Sequence, residues 1–295
     1  MPRMSRFFRL LRRASWLAVE HDQFGIAKAA AYSAILTLFP GLLLLASILA
    51  ASSRTEALLP KVLAAAVGRI LPGSAAATAQ AYFEKTIEVS ISLLITASLI
   101  ALWTASGVLV SWMEGFRKAY RLPMAWGLVK ERFIAFGLVI MALAPLAFAT
   151  LLVAFGNQIE SWIIFHSGHE FGPYILLVWK SLRWAIAILT SVAVMQLIYH
   201  NAVPRTLSWH TVLPGAALAT AIWFPATIAF GWYVRHFAAY SLFYGSLAAA
   251  IVLLIWLYII SVIVLVGAEF NALLYPRMVV AGQDTTVLRQ PGPKS

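Results

Sequence analysis

Residues 174–200 read YILLVWKSLRWAIAILTSVAVMQLIYH, an apolar run with Lys180 and Arg183 inside it. A hydrocarbon core of ~30 Å is crossed by ~20 apolar residues in a helix, so the run is long enough to span a bilayer. Five further runs of similar length hold no charge at all: 29–50, 89–113, 133–156, 211–234 and 244–268. Alternation of apolar and polar residues is absent, which argues against a transmembrane β-barrel. The expected fold is an all-α integral membrane protein, a six-transmembrane-helix bundle with proline-kinked odd-numbered helices.

Composition agrees. Of 295 residues, 62% are hydrophobic and 11% charged, against ~25% charged in ordinary soluble domains. The chain has no cysteine, so disulfides and thiolate metal sites are excluded. Its net charge of +11 would suggest nucleic acid in a soluble protein. Here it reads as Lys and Arg gathered on cytoplasmic loops, where they also meet anionic lipid. No aromatic-basic platform points to nucleic acid, and none is expected as a partner. The oligomeric state is left open.

Three regions follow. Residues 1–28 form a basic cytoplasmic segment in which Arg3, Arg6, Arg9, Arg12 and Arg13 alternate with Phe7, Phe8, Leu10, Leu11 and Trp16. This pattern suits a helix lying in the membrane interface, or else a disordered basic tail. It does not resemble a cleaved signal peptide. Residues 29–275 form the six-span domain. Residues 276–295 are polar, carry Pro and Gly, and read as a disordered cytoplasmic tail. Loop 51–88 reads as two short helices split at Leu71-Pro72-Gly73, which either cap the outer face or lie on it.

The Lys/Arg distribution sets the orientation. With six spans, both termini share one side. That side and its loops hold fifteen Lys/Arg against five on the other, with Lys180 and Arg183 making up the rest. The rule that positive loops stay inside then places both termini in the cytoplasm.

Each odd-numbered run carries a central proline: Pro40, Pro145 and Pro225. A proline removes one helical hydrogen bond and clashes with the preceding turn. Kinked or unwound backbone of this kind lines binding sites in transporters. Small residues (Ala29, Ala30 and Ala31; Gly215, Ala216 and Ala219; Gly245, Ala248 and Ala249) suit close helix packing in lipid.

The candidate site is the fourth run. Counted from Tyr174 at 1.5 Å per residue, Lys180 lies ~9 Å deep and Arg183 ~13 Å deep. Charges there are costly and usually face protein or water. Positions 180, 183, 187, 190/191 and 194 share one helical stripe, so Lys180, Arg183, Thr190 and Ser191 line it together. One reading is a water-filled, anion-attracting cavity. The other is an arginine held by kink-freed carbonyls, or two cations reaching lipid phosphates. No Asp or Glu lies inside the six runs; Glu160, Glu170, Glu269 and Glu114 flank them. Glu269 and Asn271, beyond the sixth run, are candidates for a gate, a cation site or a helix cap. His166, His169 and Glu170 make a poor metal signature, and neither a metal nor another cofactor is expected. Trp126, Trp162, Trp209, Trp232 and Tyr174 read as an aromatic belt.

Several segments carry a family resemblance. They are AAAYSAILTLFP at 29–40, TASGVLVSWMEGFRKAY at 104–120, VPRTLSWHTVLPGA at 203–216 and the closing stretch 240–272. The closing stretch is the most specific. It holds Tyr244-Gly245-Ser246, Trp256-Leu257-Tyr258, Gly267-Ala268-Glu269 and Asn271. With these the chain resembles the YihY/virulence factor BrkB family over residues 20–275, a family formerly labelled ribonuclease BN. The resemblance implies a six-helix fold in a bacterial inner (plasma) membrane, and transport has been proposed for some members. It adds Tyr244, Gly245 and Ser246 to the gate or cap candidates. Since no acidic metal cluster or hydrolase motif accompanies the ribonuclease label, an enzyme is not expected. The expected function is passage or export of a small polar or anionic solute. A non-transporting scaffold or envelope-assembly factor is the alternative.

Overall fold

The computed structural model describes residues 2–52, 91–124, 126–166, 172–204, 208–237 and 247–275. Among them are seven helices and no strand: α1 Pro2–Glu20, α2 Gln23–Ser52, α3 Ile91–Ala119, α4 Leu128–His166, α5 Gly172–Asn201, α6 Trp209–Phe237 and α7 Leu247–Leu274. Loop 51–88 past Ser52, the segment Tyr244-Gly245-Ser246, His169, Glu170 and the tail 276–295 lie outside the described residues.

Six helices are long and apolar enough to cross a membrane: Gln23–Leu44, Leu94–Ala119, Leu128–Ala149, Leu177–Asn201, Trp209–Val234 and Ala250–Leu274. The chain is a multi-pass membrane protein. The spans do not stop where charge begins. Glu114, Glu131 and Glu269 fall within spans. α3 shows how such an end is made. Arg121 takes a left-handed φ of 53°. Leu122 N then donates to Arg117 O and Arg121 N to Lys118 O, closing the last turn. Asp22, with φ 54°, makes a similar break between α1 and α2.

α2, α4 and α6 run as unbroken α-helix through Pro40, Pro145 and Pro225. The unwound backbone anticipated at these prolines is therefore not seen. Their surroundings also differ: Pro40 is buried, Pro145 half-buried and Pro225 exposed.

The chain forms two compact units. One holds 1–23, 112–224 and 263–295; the other holds 24–111 and 225–262. In the first, α4 and α5 pack along one another. Trp179 Nε1 donates to Gly156 O at 3.1 Å across that pair. α1 buries Ala14 and Ala18 fully. It meets α7 through Phe7 and Phe270, edge to face at 5.8 Å. In the second unit, α2 buries Ile26, Ala27, Ala30 and Ala31, and α3 buries Ala97, Ser106 and Leu109.

Candidate functional site

The first unit contains a buried polar cluster built around the end of α7. Glu269 is fully buried. Its Oε1 accepts from His21 Nδ1 at 2.7 Å and from Gln23 Nε2 at 2.8 Å. The Gln23 amide also donates to Gly115 O of α3 at 2.9 Å. One carboxylate oxygen thus ties α7 to the α1–α2 junction, and Gln23 ties that junction to α3. Glu269 Oε2 and Gln23 Oε1 are buried without a hydrogen-bond partner. A buried polar group costs free energy unless hydrogen-bonded, so these oxygens mark a place of unusual polarity.

Asn271 works the neighbouring seam. Its Oδ1 accepts from Gly215 N at 2.7 Å and its Nδ2 donates to Val212 O at 3.1 Å. These bonds run sideways to α6, not to the carbonyls at the end of α7. Glycine allows the approach: a Cβ at 215 would collide with Gly267 O and the Asn271 side chain. A Cβ at 267 would meet the Tyr199 hydroxyl and fall 3.0 Å from Gly215 O. Tyr199 itself donates to Val264 O at 2.6 Å and packs on Phe116 at 5.0 Å.

Tyr120, just past the α3 span, is buried beside Glu269 and Asn271 of the seam. Its hydroxyl comes near Asn271 without a hydrogen bond of good geometry. Burial pushes its pKa well up; the Asn271 amide pulls it partly back, and the Glu269 charge raises it further. The phenol stays protonated. Close by in sequence, Arg117 pairs with Glu131 in the first turn of α4, with only 11% and 3% of the two side chains exposed. The carboxylate there also suits the positive end of the helix.

The fourth-run candidates all lie on α5 in the same unit. Arg183 is 9% exposed and Lys180 is exposed. Ala187, Val194 and Ile198 are buried, so the stripe through Arg183 is the packed face of α5. Arg183 lies against Gly156 of α4, where a Cβ would fall 2.8 Å from its Cζ. The glycine makes room for the guanidinium. Thr190 and Ser191 are half-buried, and the Ser191 hydroxyl bonds back to Ala187 O at 2.8 Å. Pro145 shares this unit, whereas Pro40 and Pro225 belong to the other. Of the carboxylates flanking the runs, Glu269 is engaged as above and Glu114 pairs with Lys118 at 3.4 Å. The side chain of Glu160 and residue Glu170 lie outside the description.

The sequence reading did not single out His21, Gln23, Tyr120 or the Arg117–Glu131 pair. The one available signal was the crowding of polar residues immediately around apolar runs. Among the described residues no three or more His, Asp or Glu side chains gather as a metal site would need.

Six apolar helices with a polar seam inside one unit define a polytopic α-helical membrane protein. The chain belongs to the family described as Virulence factor BrkB, whose model matches residues 18–288. It is similar to a Bacillus subtilis (strain 168) protein called "Putative ribonuclease-like protein YfkH". The two are 30% identical over 251 residues, covering 84% of this chain and 88% of that protein. A UPF0761 membrane protein of Tolumonas auensis is 31% identical over 136 residues, 46% of this chain and 43% of the relative. Another, from Alkalilimnicola ehrlichii, is 50% identical over 62 residues, 21% of this chain and 14% of the relative. No solved structure matches.

Proposed function

We propose that the chain passes a small polar or anionic solute across a bacterial inner membrane, with both termini in the cytoplasm and no catalytic step. The observation that carries this reading is Arg183. A guanidinium sits inside a membrane-spanning helix, turned to the packed face of that helix, with Gly156 leaving space for it. A charge that faces protein at this depth is the usual mark of a solute pathway. Lys180, exposed one turn away, would gather anions toward it. Thr190 and Ser191 would continue the path, Pro145 would shape it, and Glu269 and Asn271 would gate it; the candidates Pro40 and Pro225 belong to the second unit. Tyr244, Gly245 and Ser246 are proposed for the gate through the family resemblance.

The test reconstitutes the full chain into liposomes and follows efflux of chloride, phosphate and gluconate. Wild type should exceed protein-free vesicles for at least one probe. Arg183→Ala should lose most of that flux, with normal insertion, and Arg183→Lys should keep part of it. Flux equal in wild type and Arg183→Ala, or absent for every probe, would sink the pathway.

A second reading is a non-transporting scaffold or envelope-assembly factor. It is favoured by the seam itself, because His21, Gln23, Glu269 and Asn271 spend their hydrogen bonds on tying helices together. In that case the same vesicles stay tight.

A further inference from the structure

α1 carries two adjoining recesses of opposite character, both within the first unit. The first, ≈ 530 Å³, runs between α1, α6 and α7. Its walls include Phe7, Leu10, Ala217, Leu218, Phe270 and Leu274, and among the described lining residues Arg6 is the charged one. The second, ≈ 920 Å³, lies along α1 itself and is lined by Arg6, Arg9, Arg12 and Arg13 with Trp16. Arg6 and Leu10 belong to both, so the apolar groove opens directly onto the arginines.

The helical register explains the pair. Ala14 and Ala18 face inward, with Leu10 and Leu11 half-buried beside them. Arg6, Arg9 and Arg13 follow one another at three- and four-residue steps along a neighbouring face. Phe8, Trp16 and Val19 remain 58–66% exposed, an apolar surface suited to the boundary between headgroups and chains.

We infer that this is a binding site for an anionic phospholipid: one acyl chain lies in the groove and the headgroup phosphate meets the arginines at its mouth. Charge complementarity selects the occupant. A neutral lipid would bring no net charge to the arginine recess. A soluble anion would leave the groove without a hydrocarbon. Two groove walls, α6 and α7, are themselves membrane spans, so acyl chains are the apolar matter at hand. Basic recesses beside spans bind acidic lipid headgroups through the same combination. The groove also falls within the ~300–1,000 Å³ of ordinary ligand sites. Lipid here would brace α1 against α7 at the Phe7–Phe270 contact, a few residues from the polar seam.

The experiment uses the full chain, purified in detergent, and counts retained lipid by native mass spectrometry. Phosphatidylglycerol and phosphatidylcholine of equal chain length are the probes, with glycerol 3-phosphate as the chainless control. Phosphatidylglycerol should be retained at one copy and outcompete phosphatidylcholine. Arg6→Gln with Arg13→Gln should weaken it by roughly fivefold per arginine removed. Ala217→Trp, and separately Ala221→Phe at another position of the groove wall, should fill the groove and expel the lipid with the arginines intact. Equal retention of both lipids would overturn the site. So would undiminished phosphatidylglycerol in both groove-filling variants, which would reduce α1 to a charged surface. Glycerol 3-phosphate matching the lipid would assign the arginines to a free phosphate and overturn it too.

Discussion

Arg117 and Glu131 show what a single buried pair does in this protein. Both are largely withdrawn from solvent, so removing the arginine leaves a carboxylate without its counter-charge. Breaking such a pair typically costs about 3–5 kcal/mol, whereas replacing both partners by apolar residues is often near neutral. Arg117→Ala should therefore lower the melting temperature of the detergent-solubilised chain sharply, and Arg117→Leu with Glu131→Leu should restore most of it. A double variant no better than the single would show that the pair contributes beyond its own charge balance. Tyr120 makes a different claim. Burial raises its pKa, so the folded state holds the phenolic proton more tightly than the unfolded chain does. The associated stability is complete below the ordinary phenol value of about 10 and drains away as pH rises above it. Tyr120→Phe should flatten that alkaline loss relative to wild type while changing stability near neutrality by no more than about 1 kcal/mol. Identical alkaline unfolding curves would refute the assignment. Residues of these kinds differ in how far the sequence betrays them. Arg183 stands out because a cation interrupts an apolar run. His21 and Gln23 do not, because a polar residue ahead of a span looks like any loop residue. Their partner Glu269 lies 248 and 246 positions away, a separation that no local pattern encodes.

At the scale of elements, the apolar runs announce six spanning helices because every backbone group in hydrocarbon must be satisfied within its own segment. Their ends are less legible. α3 continues six residues past the apolar run, through Glu114, Arg117 and Lys118, until Arg121 turns left-handed and closes the carbonyls. A helix loses one hydrogen bond at each proline, yet α2, α4 and α6 stay α-helical through Pro40, Pro145 and Pro225. Glycine spacing proved more informative in one place. Gly215 and Gly267 bring α6 and α7 so close that backbone carbonyls occupy the space a side chain would need. Without a hydrophobic drive between helices in lipid, such close approach supplies the packing. Gly215→Val should therefore separate the two helices and break the Asn271 bonds to Gly215 N and Val212 O. The measurement is the melting temperature of the detergent-solubilised chain, Gly215→Val against wild type, with Gly215→Ala as the smaller step. An unchanged melting temperature in Gly215→Val would mean the seam tolerates a larger spacing than this packing allows.

For the whole molecule, the proposed orientation rests on charge and helix number together. Six spans would return the chain to its starting side, and fifteen Lys/Arg against five are the ground for proposing that side as the cytoplasmic one. The arginine-lined recess on α1 sharpens the argument, because an acidic leaflet attracts the same residues that the insertion machinery retains. The absence of cysteine makes the prediction clean to test, since every introduced thiol is the only one present. Ser5→Cys, Ser208→Cys and Ser295→Cys should be protected from a membrane-impermeant maleimide in intact cells and labelled in inverted vesicles. Ser74→Cys should show the opposite pattern. Labelling of Ser5→Cys from outside would reverse the chain, place the arginines on the less acidic face and remove the electrostatic ground for a lipid on α1. Opposite labelling of Ser5→Cys and Ser295→Cys would require an odd number of spans, which six apolar helices cannot deliver unless one of them lies along the surface. The single-span candidate for that role would be α5, whose two cations make it the most costly of the six to hold in hydrocarbon.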